Sequence, residues 1–440
     1  MSLRFGTDGV RGVANTELTA DYALALGRAA ARVLGGPRIV IGRDTRRSGP
    51  LLEAALVAGF AAEGVDVELL GVVPTPAVAL IAASESVPAA VITASHNPFA
   101  DNGVKLFAAG GTKLSDAVET GIERELHALG APTRAGAAVG TVTVRDDALD
   151  RYVAHIASSF PGGLAGRRIV VDAANGAMSA AAPAVLRALD ADVIVTHASP
   201  DGQNINADCG ATAPAALSAS VLEHHAALGL ALDGDGDRLI AVDHLGRLVD
   251  GDRIIALCAL DLRARGRLAH DTVVVTVMSN LGFHRAMERE GIQVVATQVG
   301  DRYVLEALAA GGYSLGGEQS GHVIITEHAT TGDGLLAGLV LLDLVERSGR
   351  SLAELSDDVM TVYPQVLVNV RVAQRHPDIA ELMADEIQAA AAELGAEGRV
   401  LVRPSGTEPL VRVMVEASSD TAAKSVADQL AGAVSARFAR

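Results

Sequence analysis

The sequence predicts a layered α/β fold in three similar units, followed by a smaller α+β module. Three observations predict it. Short β-branched runs alternate with Ala/Leu-rich stretches of helical period up to residue 365, the pattern of βαβ units. The 46 glycines, the 3% aromatic content and the absence of tryptophan fit tight packing with many short loops. A chain of 440 residues, 49% of them hydrophobic, can bury roughly three cores at about 150 residues each, or four small ones.

The elements follow in order. In residues 1–160, strands are expected at 38–41, 65–70 and 89–93. A helix over 50–63 repeats Leu52, Leu56 and Phe60 at helical spacing. Phe160-Pro-Gly-Gly-Leu-Ala-Gly166 reads as a linker. Residues 161–252 then hold strands at 169–172, 193–196 and 228–232, and a hairpin-like run over 239–249 turning at 244–246. Residues 253–365 hold strands at 272–277 and 292–297 and a run near 323–325. Tyr363-Pro364-Gln365 reads as a hinge, because Pro364 cannot continue a helix. In residues 366–440 a strand over 366–372 precedes a helix over 377–394, with Ile379, Leu382, Met383 and Ile387 on one face. Strands at 399–403 and 410–416 and a final helix complete a two-layer module.

Charge narrows the partners. Lys and Arg number 36 against 53 Asp and Glu, a net charge of −17, so non-specific binding to nucleic acid or an anionic membrane is not expected. An anionic substrate would need cationic groups gathered in one place. Cys209 and Cys258 are too few for a disulfide framework or a cysteine-rich zinc site. The first residues show no apolar signal region. The richest apolar run, 335–345, contains Asp343 and falls short of the ~20 residues that span a bilayer. A soluble cytoplasmic protein is expected.

Four polar loops, one in each expected domain, follow apolar strands: Thr93-Ala-Ser-His-Asn-Pro98, Asp233-Gly-Asp-Gly-Asp-Arg238, Gly317-Glu-Gln-Ser-Gly-His322 and Arg403-Pro-Ser-Gly-Thr-Glu-Pro409. Ligands of α/β sheets sit at the carboxyl ends of strands, so one shared cleft is expected. Asp233, Asp235 and Asp237 crowd three carboxylates, which repel one another unless a cation neutralises them. All-oxygen ligands suit Mg²⁺ or Ca²⁺. An EF-hand is disfavoured, because Arg238 and His244 stand where it needs glycine and glutamate. A solvated acidic turn is the plain alternative. Ser95 reads as a turn former, as a hydrolase nucleophile beside His96, or as a phosphoryl acceptor. No G-x-S-x-G elbow supports the second reading. A phosphoserine, at roughly −1.5 to −2 charges, would add an oxygen ligand to the metal. Arg403, Ser405, Thr407 and the amides around Gly406 make a phosphate cradle or a capped surface loop, with Arg412 near in sequence. No GxxxxGK[ST] element is present, so a nucleotide P-loop is not supported. Glu318, Gln319, Ser320 and His322 suit sugar hydroxyls, weakly on their own.

Taken together, and with Phe5-Gly-Thr-Asp-Gly-Val-Arg-Gly12, Gly42-Arg-Asp-Thr-Arg46 and Asn102-Gly-Val-Lys105, the loops resemble the α-D-phosphohexomutase family in order and over essentially the whole chain. The resemblance implies three α/β/α domains and a C-terminal domain of the TATA-box-binding-protein-like type around a central cleft. It implies that Ser95 is the phosphorylated serine and that Asp233, Asp235 and Asp237 bind one Mg²⁺ with a phosphoserine oxygen. Arg11, Lys105 and Arg238 would lie near the moving phosphoryl group, with Lys105 as general acid/base. His96 and His322 match active-site histidines. Glu318, Gln319 and Ser320 match the sugar-contacting loop. Arg403, Ser405, Gly406 and Thr407 match the pocket for the phosphate that is not transferred. The forms FGTDGVRG and GEQSGH resemble the branch acting on glucosamine phosphates. This implies an isomerase that converts the 6-phosphate to the 1-phosphate through a hexosamine 1,6-bisphosphate, feeding UDP-N-acetylglucosamine and peptidoglycan precursors. Mannose or glucose phosphates are the alternative substrates, and Gln319 argues against them. The expected partner is a phosphosugar, with a homodimer left open. A catalytically dead sugar-phosphate sensor is disfavoured by the intact loops.

Overall fold

The computed structural model describes residues 3–6, 8–132, 134–160, 162–405 and 409–439. The chain folds into two compact units, one of Met1–Met278 with Ile292–Asp357, the other of Ser279–Gly291 with Asp358–Arg440.

The first unit is built on three sheets. Strands β1 (Val10–Val13), β2 (Arg38–Arg43), β3 (Asp66–Val72), β4 (Ala89–Ile92), β5 (Asp101–Phe107) and β6 (Val142–Val144) form a six-stranded sheet in the order β1-β5-β4-β2-β3-β6. Strands β7 (Arg168–Asp172), β8 (Asp192–Thr196), β9 (Leu228–Leu232), β10 (Leu239–Asp243) and β11 (Leu248–Val249) form the second, in the order β11-β10-β9-β7-β8. Strands β12 (Thr272–Thr276), β13 (Gln293–Thr297), β14 (Leu315–Gly317) and β15 (Val323–Ile325) form the third, in the order β13-β12-β14-β15.

These sheets share one plan. In each, a middle strand (β2, β7 or β12) has parallel neighbours on both sides. One of those neighbours (β4, β9 or β14) then turns back into an antiparallel strand (β5, β10 or β15). The internal repeat, only hinted at by strand lengths, is therefore a repeat of topology.

Local chemistry explains the helices. The expected helix is Gly49–Ala62, with proline in its first turn, where the missing N–H costs nothing. Leu52, Leu56 and Phe60 are buried in the core of the first sheet with Leu26, Ile39, Ile41 and Val104. Helix Ala20–Leu34 starts at Thr19, whose hydroxyl accepts the Tyr22 N–H, and stops at Gly35 with φ 66°. The two helices cross at glycines. A methyl on Gly27 would stand 2.4 Å from the Leu56 carbonyl oxygen, and one on Gly59 would stand 2.3 Å from that of Leu24. The apolar run 335–345 lies in helix Gly334–Ser348. Among the described residues, no helix is long and apolar enough to cross a membrane.

The second unit contains β16 (Gln365–Arg371), β17 (Arg399–Pro404) and β18 (Leu410–Glu416), an antiparallel sheet in the order β16-β18-β17, with the long helix Asp420–Phe438. The single helix expected over 377–394 is two, Ile379–Leu382 and Ala384–Leu394. Met383 breaks it at φ −111° and ψ 19°, with its side chain fully buried in this unit's core. The expected hinge at Tyr363 lies inside this unit. Asn280 Oδ1 accepts the Tyr363 N–H at 3.0 Å, and Asn280 Nδ2 donates to the Tyr363 carbonyl at 2.9 Å. Pro161 of the expected linker lies outside the described residues.

Candidate active site

Three of the four polar loops occupy the same topological position. Ser95 lies between β4 and β5, the three aspartates between β9 and β10, and Glu318 to His322 between β14 and β15. The shared plan thus sends one loop from each sheet into a common site within the first unit.

Ser95 is fully buried and takes the left-handed conformation, φ 51°, which a non-glycine residue adopts only when its surroundings hold it. The holding groups are specific. Its N–H donates to Thr93 Oγ1 at 2.9 Å, and Thr93 donates to Asp44 at 2.7 Å. Its carbonyl accepts from Arg46 Nη2 at 2.9 Å and from Asn206 Nδ2 at 2.8 Å. Arg46, fully buried and paired with Asp44 at 2.9 Å, also holds the Asn97 and Asp101 carbonyls. The Ser95 hydroxyl is left to donate to Asp233 Oδ2 at 2.6 Å. Glycine at 234 follows from this closeness, because a Cβ there would stand 2.7 Å from the Ser95 carbonyl. Gly236 is required by its φ of 77°.

Asp233, Asp235 and Asp237 are all buried, and each has a carboxylate oxygen within 4.8 Å of the others. Lys105, on β5 opposite Val91, donates to Asp235 Oδ2 at 2.8 Å and to Asp237 Oδ2 at 3.0 Å. Burial opposes the lysine's charge, but the two carboxylates outweigh it and hold its pKa up at about 12. Burial and the neighbouring Asp237 and Asp235 push Asp233 well above the usual carboxylate range. Asp237 goes the other way despite burial, held down by Lys105, His322 and Arg238.

The remaining residues close the ring. The Arg238 N–H donates to Asp233 Oδ1 at 3.1 Å, and its guanidinium stands 3.8 Å from Asp237. Arg11 on β1 pairs with Asp8 and reaches Asn97 Oδ1 at 3.5 Å. His322 is buried with Nδ1 3.8 Å from Asp237, while its Nε2 accepts the Gly332 N–H at 3.2 Å. His96 Nδ1 lies 3.4 Å from Ser95 Oγ. Burial, with Arg238 and Arg11, pushes the His96 pKa down to about 4, so it is neutral at pH 7. Glu318 accepts the Gly300 N–H at 3.0 Å and the Ser320 hydroxyl at 3.4 Å. The Gln319 carbonyl accepts the Gly251 N–H at 3.1 Å.

Four polar atoms here are buried without a hydrogen-bond partner: Asp235 Oδ1, Asp237 Oδ1, Arg11 Nε and Arg238 Nε. Two orphaned carboxylate oxygens beside two orphaned guanidinium nitrogens fit a cation and an anion together. The all-oxygen donor set fits Mg²⁺.

In the second unit, β17 and β18 place Arg403 directly opposite Arg412. The Nε of each is buried with no hydrogen-bond partner. Burial and then the Arg412 charge lower the Arg403 pKa. Two cations with unused donors on adjacent strands suit an anion. Ser405 is buried at its edge, whereas Gly406 and Thr407 lie outside the described residues.

Sequence reasoning passed over several supporting residues. Thr75 donates its hydroxyl to Asp235 Oδ2 at 2.6 Å and its N–H to the Asp235 carbonyl at 2.9 Å. Asp8 accepts from Lys105 at 3.2 Å and from Lys113 at 3.0 Å. Asp8 and Arg46 lay inside quoted motifs and could have been read from them. Thr75 and Asn206 carry no local signal.

Comparison with known proteins agrees with this geometry. Residues 2–132, 150–246 and 250–363 match phosphoglucomutase/phosphomannomutase alpha/beta/alpha domains I, II and III, and residues 367–433 match the C-terminal domain. The chain is 56% identical to a phosphoglucosamine mutase of Frankia casuarinae, over 98% of this chain and 97% of the relative. It is 55% identical to the phosphoglucosamine mutase of Kineococcus radiotolerans over the whole of both chains, 100% and 100%. Among solved structures, a phosphoglucomutase/phosphomannomutase family protein of Burkholderia thailandensis superposes with a TM-score of 0.81 at 28% identity, covering 98% of this chain and 97% of that one.

Proposed function

The chain belongs to the phosphoglucomutase/phosphomannomutase family, and from that premise we propose that it interconverts glucosamine 6-phosphate and glucosamine 1-phosphate. The observation that carries the mechanism is the Ser95 hydroxyl, 2.6 Å from Asp233 and inside the buried cluster of three aspartates and Lys105. The identity to named phosphoglucosamine mutases, 53–56% over nearly full length, supports the substrate.

Phosphorylated Ser95 gives its PO₃ to the free hydroxyl of a hexosamine monophosphate; as the P–O bond to serine breaks, the attacking hydroxyl gives up its proton and Ser95 Oγ takes one up. A 1,6-bisphosphate results. It turns over, its other phosphoryl group returns to Ser95, and the isomeric monophosphate departs. Phosphoryl transfer asks a protein mainly for alignment and charge neutralisation. Arg46 and Asn206 fix the attacking or leaving oxygen by gripping the Ser95 carbonyl. Lys105, Arg238 and Arg11 face the group in flight, and Lys105, charged beside Asp235 and Asp237, is the acid/base that gives its proton to the departing oxygen and regains one from the attacking hydroxyl. His322, its proton placed on Nδ1 by the Gly332 N–H, faces Asp237. Held by Asp233, Asp235, Asp237 and a phosphoserine oxygen, Mg²⁺ would supply neutralisation of the transferring group. Glu318, Gln319 and Ser320 take sugar hydroxyls. Arg403, Ser405, Gly406 and Thr407 take the phosphate that stays. The product class feeds UDP-N-acetylglucosamine and cell-wall precursors in the cytoplasm.

The test is a parallel assay of the 6-phosphates of glucosamine, mannose and glucose with catalytic 1,6-bisphosphate, alongside intact mass of the protein. The reading expects glucosamine 6-phosphate to turn over fastest and one phosphate to map to Ser95. Faster turnover of mannose or glucose 6-phosphate would overturn the substrate. A phosphate on another residue would overturn the mechanism.

A further inference from the structure

A second cluster of metal-ligating side chains lies in the second sheet, outside the residues used above. Asp172 ends β7, His197 follows β8 and Cys209 precedes the short helical turn Gly210–Thr212. One ligand atom from each lies within 4.8 Å of the other two. Asp172 and Cys209 are fully buried, while the His197 side chain is 33% exposed, so the cluster has a route to solvent.

The Asp172–His197 approach is unusual. Nδ1 stands 3.0 Å from Asp172 Oδ2, yet this buried nitrogen makes no hydrogen bond. Two donor atoms this close without hydrogen-bond alignment suit two ligands facing one cation. With zinc bonds of about 2.0–2.1 Å to nitrogen and oxygen, tetrahedral ligand atoms stand about 3.3 Å apart. Asp172 is also oriented as metal carboxylates are. Its Oδ1 accepts the Ala174 N–H at 2.9 Å and its Oδ2 the Gly210 N–H at 2.9 Å, which leaves lone pairs on both oxygens.

We propose that Asp172, His197 and Cys209 form a binding site for a borderline-soft dication of the zinc class, separate from the all-oxygen aspartate cluster. One nitrogen, one sulfur and one oxygen ligand select such ions over Mg²⁺ and leave a fourth position open to water. The site is tied to the catalytic loop. Asn206, three residues before Cys209, donates to the Ser95 carbonyl at 2.8 Å and to that of Asn97 at 3.1 Å, and its N–H donates to the Ala174 carbonyl at 2.9 Å. Occupancy clamps both ends of the segment that grips Ser95.

The test is a Co²⁺ titration of the full chain in excess Mg²⁺, read by the thiolate-to-cobalt charge-transfer band and by competition with Zn²⁺. The wild type should show one such band per chain, displaced by Zn²⁺. The band should be lost in Cys209→Ser and kept in Cys258→Ser and Asp235→Asn. His197→Ala, at a partly exposed position where folding is safe, should weaken Co²⁺ binding by at least about tenfold. No band in the wild type, a band surviving in Cys209→Ser, unchanged affinity in His197→Ala, or loss of the band in Asp235→Asn would overturn the site.

Discussion

Ser95 has one backbone conformation and one free group. Its N–H and carbonyl are held by Thr93, Arg46 and Asn206, so only the hydroxyl is available for chemistry. Placing a phosphate of roughly −1.5 to −2 charges beside three buried carboxylates is tolerable only with concentrated positive charge. Lys105, Arg238 and Arg11 provide part of it. Ser95→Ala is therefore expected to lower mutase activity by several orders of magnitude, since among the described residues only the Ser95 hydroxyl bonds Asp233. The alanine keeps the backbone bonds, so its melting temperature should stay within a few degrees of wild type. Turnover near the wild-type rate, in a protein shown to be folded by circular dichroism, would refute the phosphoserine route.

Elements explain why these residues meet. The helices Ala20–Leu34 and Gly49–Ala62 touch backbone to backbone at Gly27 and Gly59. Gly59→Ala gains helix propensity but drives a methyl to 2.3 Å from the Leu24 carbonyl. Overpacking of this kind costs about 1–3 kcal/mol, more than the ~1 kcal/mol that alanine gains over glycine. A lower melting temperature is expected, and a rise would contradict the close crossing. Glu85, at the end of helix Thr75–Glu85, is gripped by Arg145 and Arg151. Burial alone would raise its pKa, yet the two arginines outweigh burial and hold it at about 2, below the ordinary 4.5. A lowered carboxylate pKa contributes stability that is complete above pH 4.5 and is lost as pH falls toward 2. Glu85→Gln should therefore destabilise most at neutral pH, and the gap in melting temperature between wild type and variant should close across that window. A gap independent of pH would refute this pairing. The four loops were legible because each is a polar, glycine-rich break after an apolar run. Strand β5, which carries Lys105, was not: its opening Asp-Asn-Gly reads as a turn, and only pairing with β1 and β4 makes it a strand. The common turn that bears three of the loops was likewise invisible, since strand order is a property of pairing and leaves no local pattern. Thr75 and Asn206 reach their partners across 160 and 111 residues, a distance no periodicity records.

Over the whole chain, a net charge of −17 is compatible with an anionic substrate because cations are gathered locally, around Ser95 in one unit and at Arg403 and Arg412 in the other. The path of the chain has its own consequence. It enters the second unit twice, first with 279–291 and then from Asp358 onward. Within that unit the first visit supplies buried partners. The Leu281 N–H donates to Glu416 Oε2 at 3.0 Å, and Asn280 clamps Tyr363 through both N–H and carbonyl. Glu416 is fully buried, with Arg399, Gln365 and Asn280 as its other side-chain donors. The C-terminal stretch is thus not self-sufficient, although its sheet and long helix form one core. Residues 358–440 expressed alone should melt lower than the same residues carrying 279–291 on a flexible linker. The expected difference is about 1–3 kcal/mol for each buried group left without its partner. Asn280→Ala in the linked form should remove a large part of that difference, because this side chain makes both bonds to Tyr363. Equal melting of the two fragments would mean that the segment only lies against the unit, and Asn280 would then have no structural role there.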